Sequence, residues 1–159
     1  MAARSGESLA QWVERLAAQF AENGLPLIAG RILGHLLVCD PPERTAAELA
    51  AELEASTGSI STNLRLLGNA GVVTKTTRRG RQAALYRIDE HRWADFVRRR
   101  LEGMVTMREV TSSGLRLLSG HRERAERLRV VDELYGWLAG EVPQLWQRFA
   151  SQRRLDERH

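Results

Sequence analysis

The sequence predicts a mainly α-helical chain that carries one small β-hairpin. Three observations predict it. Residues 45–70 read as two short helices joined by a tight turn. Residues 72–88 read as two β-like runs, the first of them β-branched, around an arginine-rich tip. The flanking chain carries apolar residues at helical spacing: Leu9, Trp12, Val13, Leu16 and Phe20 near the start, Leu128, Val131, Leu134, Tyr135, Leu138, Val142, Leu145 and Phe149 near the end. Two short helices and then a hairpin is the order of a winged helix-turn-helix, which makes DNA the first partner to consider. The expected division is a dimerisation helix over 1–24, a DNA-binding domain over 25–89 and a helical dimerisation region over 90–159.

Composition narrows the function classes. A chain of 159 residues is one domain, or one domain with an oligomerisation arm, and 43% hydrophobic residues suffice for a core. The net charge of +4 is a weak argument for DNA. Its distribution says more. Lys75, Arg78, Arg79, Arg81 and Arg87 lie between 72 and 88 with no acid among them, whereas Glu43, Glu48, Glu52 and Glu54 cluster earlier. Cys39 is the only cysteine, so neither an intramolecular disulfide nor a cysteine-rich zinc site is expected. His35, His91, His121 and His159 lack metal-ligand spacing, so no metal and no cofactor is expected. Paired carboxylates, a nucleophile with a partnered histidine and a phosphate loop are all missing, which argues against an enzyme. No apolar stretch follows Arg4, so no signal peptide is visible. The charge-free apolar run near 32–39 is far short of the roughly 18 residues a membrane span needs. A soluble cytoplasmic protein with no membrane partner is the expectation.

The elements follow in order. Gly24 and Pro26 stop the first helix and start a second, over about 27–39, which Asp40, Pro41 and Pro42 end. This second helix is apolar almost all round, so it should be central and buried. Gly30 and Gly34 sit one turn apart in it, each costing roughly 1 kcal/mol of helix propensity. Close approach of another helix is the simplest compensation. Thr45 with Glu48 forms a capping box for a third helix over 46–54. Ala55 and Ser56 make the turn, Ser56 caps a fourth helix over 57–70, and Gly71 suits a left-handed C-cap. Strands over 72–77 and 83–88 flank Arg78-Arg79-Gly80-Arg81-Gln82. Asp89 caps a long helix over 90–118, Ser119-Gly120 breaks it, and Gly140 and Pro143 should kink or divide the last helix.

The fourth helix is the candidate recognition helix. On a wheel of 3.6 residues per turn, Ile60, Leu64 and Leu67 share one face and should pack on Leu49 and Leu53. The opposite face carries Gly58, Ser61, Thr62, Arg65 and Asn69. Ser56, Thr57, Gly58, Ser59 and Ser61 let the backbone approach a groove and offer hydroxyl and N–H donors to phosphate. Thr62 and Arg65 are the candidate base readers, arginine preferring guanine. Lys75, Arg78, Arg79 and Arg81 supply phosphate or minor-groove contacts from the wing.

These residues resemble a known family. Gly24-Leu25-Pro26, Ala29-Gly30-Arg31-Ile32-Leu33-Gly34, Cys39-Asp40-Pro41-Pro42, Ala46-Ala47-Glu48-Leu49-Ala50 and Gly58-Ser59-Ile60-Ser61-Thr62 together are similar to the GbsR branch of the MarR-type transcriptional regulators. The resemblance is specific over about 24–88 and architectural elsewhere. It implies a bacterial homodimeric winged-helix repressor, a dimer built by the first helix and the last two, and a small-molecule response. Leu27 and Thr57 depart from it, standing where a basic residue is often found, and the wing lacks the usual acid.

The expected function is a dimeric, sequence-specific DNA-binding transcriptional regulator that reads an inverted-repeat operator. The alternative is a winged-helix protein-interaction module using the same faces. A ligand pocket, lined by His35, Trp93, Met104 and Met107, is expected between the winged helix and the dimer helices. Cys39 has no adjacent basic residue and should be inert.

Overall fold

A computed structural model describes residues 7–77, 80 and 83–156. The chain divides into two compact units, Met1–Trp93 and Ala94–His159.

The first unit opens with α1 (Leu9–Glu22). Ser8 starts it with a capping box: its hydroxyl accepts from the Gln11 amide, and the Gln11 side chain accepts from the Ser8 amide. Val13 and Ala17 are its buried face. They meet α2 (Leu27–Val38), of which Ala29, Gly30, Ile32, Leu33, Gly34 and Leu36 are buried. The expectation for the two glycines is met. A Cβ on Gly30 would stand 2.8 Å from the Ala17 Cα, and one on Gly34 would stand 3.1 Å from Val13 Cγ1. α1 therefore crosses α2 at a separation that a larger residue at 30 would prevent.

A strand absent from the sequence reading follows, β1 (Arg44–Thr45). Thr45 then caps α3 (Ala46–Glu52): its hydroxyl accepts from the Glu48 amide at 3.1 Å, and Glu48 accepts from the Thr45 amide at 2.7 Å. The helix ends two residues before the expected boundary because Glu54 takes a positive φ of 50°. The Ala55 amide then donates back to the Ala50 carbonyl at 2.9 Å and closes the C-terminus. Ser56 caps α4 (Thr57–Asn69) through the Ser59 amide. Ile60, Leu64 and Leu67 are buried as the wheel predicts, and so is Leu49 opposite, while Leu53 is half-buried. Gly71, at φ 77°, turns the chain out of α4.

β2 (Val73–Thr76) and β3 (Leu85–Ile88) form the hairpin, with Val73 opposite Ile88 and Thr76 opposite Leu85. β1 adds to the other edge of β3, with Thr45 opposite Leu85. The antiparallel sheet thus has the order β1-β3-β2. Asp89 caps a short 3₁₀ turn, Glu90–Arg92, that leads into α5 (Trp93–Leu117). Trp93 meets Phe20 of α1 edge-on at 6.2 Å.

The second unit comprises the rest of α5 and α6 (Arg122–Asp156). Gly120, at φ 92°, makes the expected break. The two helices are tied by Asp132, which accepts from Thr111 at 2.6 Å and from Ser112 at 2.7 Å. Its carboxyl is held below the usual carboxylate range, mainly by those two hydroxyl donors and further by the Arg108 charge. Of the kink or division expected at Gly140 and Pro143, the division does not occur: the last helix runs unbroken across both. A proline removes one donor from the ladder, and the helical turns on both sides are long enough to hold.

Candidate nucleic-acid interface

The packing of α4 decides what it can present. Ile60, Leu64 and Leu67 fix its rotation by burying one face, so the 3.6-residue period turns Gly58, Ser61, Thr62, Arg65 and Asn69 outward. All five are exposed, as are Ser56 and Thr57 in the first turn. Ser59 is half-buried; its amide is taken by the Ser56 cap. Arg65 has no ion-pair partner among the described residues. Gly58 is informative by contrast with Gly30. A Cβ there would meet nothing within 4 Å, so no packing inside the chain requires a glycine. The start of α4 is bare at this position.

The wing contributes less that can be described. Lys75 is exposed on β2, without an ion-pair partner among the described residues. Arg78, Arg79 and Arg81 lie outside the described residues. Arg87 is exposed on β3 and faces Glu90 at 3.8 Å. The described residues thus offer a helix bearing small polar residues and Arg65, and one exposed lysine on β2.

Two supports of this face escaped the sequence reading. Asn63 is buried on α4, and its side-chain amide donates to the Ser59 carbonyl at 2.9 Å, bracing the first turn from within. Its only sequence signal is the spacing of four from Ser59. Arg44 is the second. Its Nε lies 3.1 Å from both Glu52 carboxylate oxygens, and its terminal nitrogens donate to the carbonyls of Pro41, Glu43 and Asp40. One guanidinium joins the α2–α3 connection, β1 and the end of α3.

Of the four residues expected to line a ligand pocket, His35 lines a cavity of the first unit. Its Nε2 lies 2.5 Å from Glu52 Oε2. Trp93 packs on Phe20, and Met104 and Met107 are exposed on α5. Burial pushes the Cys39 thiol above its usual range, with Glu52 and Asp40 adding to the rise and Arg44 opposing it. A thiol so placed is a poor nucleophile at neutral pH. Among the described residues no cluster of side chains could hold a metal ion, and no helix is long and apolar enough to cross a membrane.

Comparison with known proteins agrees with this geometry. HTH-type transcriptional regulator MmpR5 of Mycobacterium tuberculosis is 32% identical over 148 residues, covering 92% of this chain and 90% of the relative. The chain belongs to the MarR family of transcriptional regulators. The sequence profile of the MmpR5-like MarR family transcriptional regulators matches residues 91–154, which cover most of α5 and α6. A crystal structure of a transcriptional regulator superposes with a TM-score of 0.73 at 32% identity, covering 90% of this chain and 98% of the other. The protein is therefore a DNA-binding transcriptional regulator with a winged helix-turn-helix, and regulators of this family bind DNA and act as dimers. The family match is to the MmpR5-like group, and it does not bear on the GbsR branch.

Proposed function

We propose that this regulator is a cytoplasmic homodimer that binds an inverted-repeat operator with one α4 in each half-site, represses the gene beside it, and is released by a small-molecule effector. The observation that carries the reading is the outward face of α4, where Gly58, Ser61, Thr62 and Arg65 stand exposed beyond a capped N-terminus. Thr62 and Arg65 are assigned to base edges. Ser56, Thr57, Gly58, Ser59 and Ser61 are assigned to the phosphates, with Lys75, Arg78, Arg79 and Arg81 of the wing. A two-fold dimer sets the half-sites about one helical turn apart or a multiple of it. The first helix and the last two are assigned to the dimer interface, which in an obligate dimer buries about 2,000 Å² or more. The closer GbsR affinity rests on the motifs of residues 24–62. A winged-helix protein-interaction module has no specific observation in its favour.

The test is selection of bound genomic fragments, followed by gel retardation over a range of salt. Arg65→Ala and Thr62→Ala should change base preference, at about 1–3 kcal/mol for a contacted position. Arg81→Ala should weaken binding to every sequence and lower the salt slope by roughly one. Equal losses on operator and random DNA for both classes of variant would overturn the assignment of base readers. A reporter that rises when the protein is removed checks repression.

A further inference from the structure

We infer that the first unit carries a binding site for an organic cation with an apolar body, formed by α1, α2 and the α3–α4 turn. Its regulatory consequence rests on the reading above; its chemistry does not. The cavity has a volume of about 600 Å³, inside the range of roughly 300–1,000 Å³ usual for small-molecule sites. Val38 and Leu53 give it apolar wall.

The sign of the charge comes from which groups are already engaged. Four acidic residues, Glu14, Asp40, Glu52 and Glu54, line the cavity against two arginines, Arg31 and Arg44, and His35. Arg31 is paired with Glu14 at 2.8 Å. Arg44 is taken up by Glu52 and three backbone carbonyls. Both guanidinium charges already face a carboxylate, so an anion would have to compete with Glu14 and Glu52 for them. The Asp40 and Glu54 carboxylates have no hydrogen-bond or ion-pair partner among the described residues. An ammonium or guanidinium group donates to such oxygens with charge-assisted strength, while an apolar tail covers Val38 and Leu53.

The position gives the site leverage. Glu52 is the last residue of α3, Glu54 holds the turn at positive φ, and α4 begins at Thr57. A cation drawn to Glu54 acts on the turn that aims the recognition helix. It regulates only by binding the free and DNA-bound forms unequally.

The experiment is calorimetric titration of the full chain with alkylamines from butylamine to octylamine, alongside the alkyl alcohols and carboxylates of equal length. The amines should saturate at one per protomer and tighten by about fourfold per methylene where the tail is covered. The alcohols and carboxylates should bind far more weakly. Asp40→Asn and Glu54→Asn change exposed side chains, and asparagine tolerates the backbone at 54, so both variants should fold. Each should weaken the amine about tenfold. Equal binding of alcohol or carboxylate, an amine affinity untouched by both variants, or no saturable amine binding would each overturn the site. The titration contains no DNA, so failure to find an operator would leave its result standing. Amine binding that leaves DNA retention unchanged would keep the site and overturn its regulatory role.

Discussion

In the unit that ends at Trp93, Ile32, Leu33, Leu49, Ile60, Leu67 and Val72 are fully enclosed. In the unit that follows, the buried apolar side chains among the described residues are Phe96, Ala125 and Val142, while Leu134, Trp137, Leu145 and Phe149 are 45–62% exposed along α6. The first unit closes a core with its own chain. The second has the long helices and the apolar residues of a packed body, and leaves many of those residues outside. On a regulator whose family acts as dimers, this apolar row is the surface we assign to a second copy. The winged helix is thus expected to hold its shape from within, and α6 to depend on a partner.

The sharpest way to break that comparison is to cut each side in turn. Leu67→Ala removes an enclosed side chain from α4 and should destabilise the first unit by about 2–5 kcal/mol, read by denaturant unfolding. Operator binding should fall with it, because the rotation of α4 depends on that face. Trp137→Ala and Leu134→Ala are the counterpart. On a free surface such changes stay within about 0.5 kcal/mol. Beneath a partner each should cost about 1–3 kcal/mol and shift the protein toward monomer in sedimentation. Melting that does not depend on protein concentration, with no change in mass, would show that α6 does not carry the dimer.

A second cut compares two glycines of the first unit. Gly30→Ala forces a Cβ against the Ala17 backbone, and overpacking of this kind costs about 1–3 kcal/mol, partly offset by better helix propensity. Gly58→Ala meets open space and should stabilise the fold by up to about 1 kcal/mol. If the start of α4 lies close to DNA, the same variant should bind operator more weakly. Stability rising while affinity falls is the signature to look for, in thermal melts paired with gel retardation. Unchanged affinity would move the phosphate contacts away from Gly58.

These contrasts also separate what could be read in the sequence from what could not. Caps and turns were legible because their causes are local. Thr45 and Glu48 sit three apart, Ser56 precedes α4, and Gly71 and Gly120 take positive φ where the pattern stops. The outward face of α4 was legible because three buried residues fix the wheel. β1 was not, since two residues carry no periodicity and the strand exists only by pairing with Leu85 and Tyr86. The Arg44 network and the burial of Asn63 depend on which carbonyls the fold brings within reach, and no spacing announces that. The cavity beside His35 was beyond reach for the same reason: its walls come from three separate stretches of chain. Charge is what assigns Arg78, Arg79 and Arg81 to the wing's contacts.

The smallest expected effect tests the polar side of the comparison. The second unit is tied internally by Asp132 with Thr111 and Ser112, and the Asp132 carboxyl titrates below its ordinary range. A carboxylate with a depressed folded-state pKa favours the folded state while both states are ionised above the unfolded value. That contribution is lost as the pH falls through the folded value. Asp132→Asn should therefore be slightly less stable than the wild type near neutrality, and the gap should close on acidification. The group is only partly screened from water, so the difference should be small. Thermal melts of the two proteins across the acid range measure it. A gap that stays constant with pH would mean that Asp132 acts through shape and hydrogen bonding, and that its charge contributes nothing to holding α5 against α6.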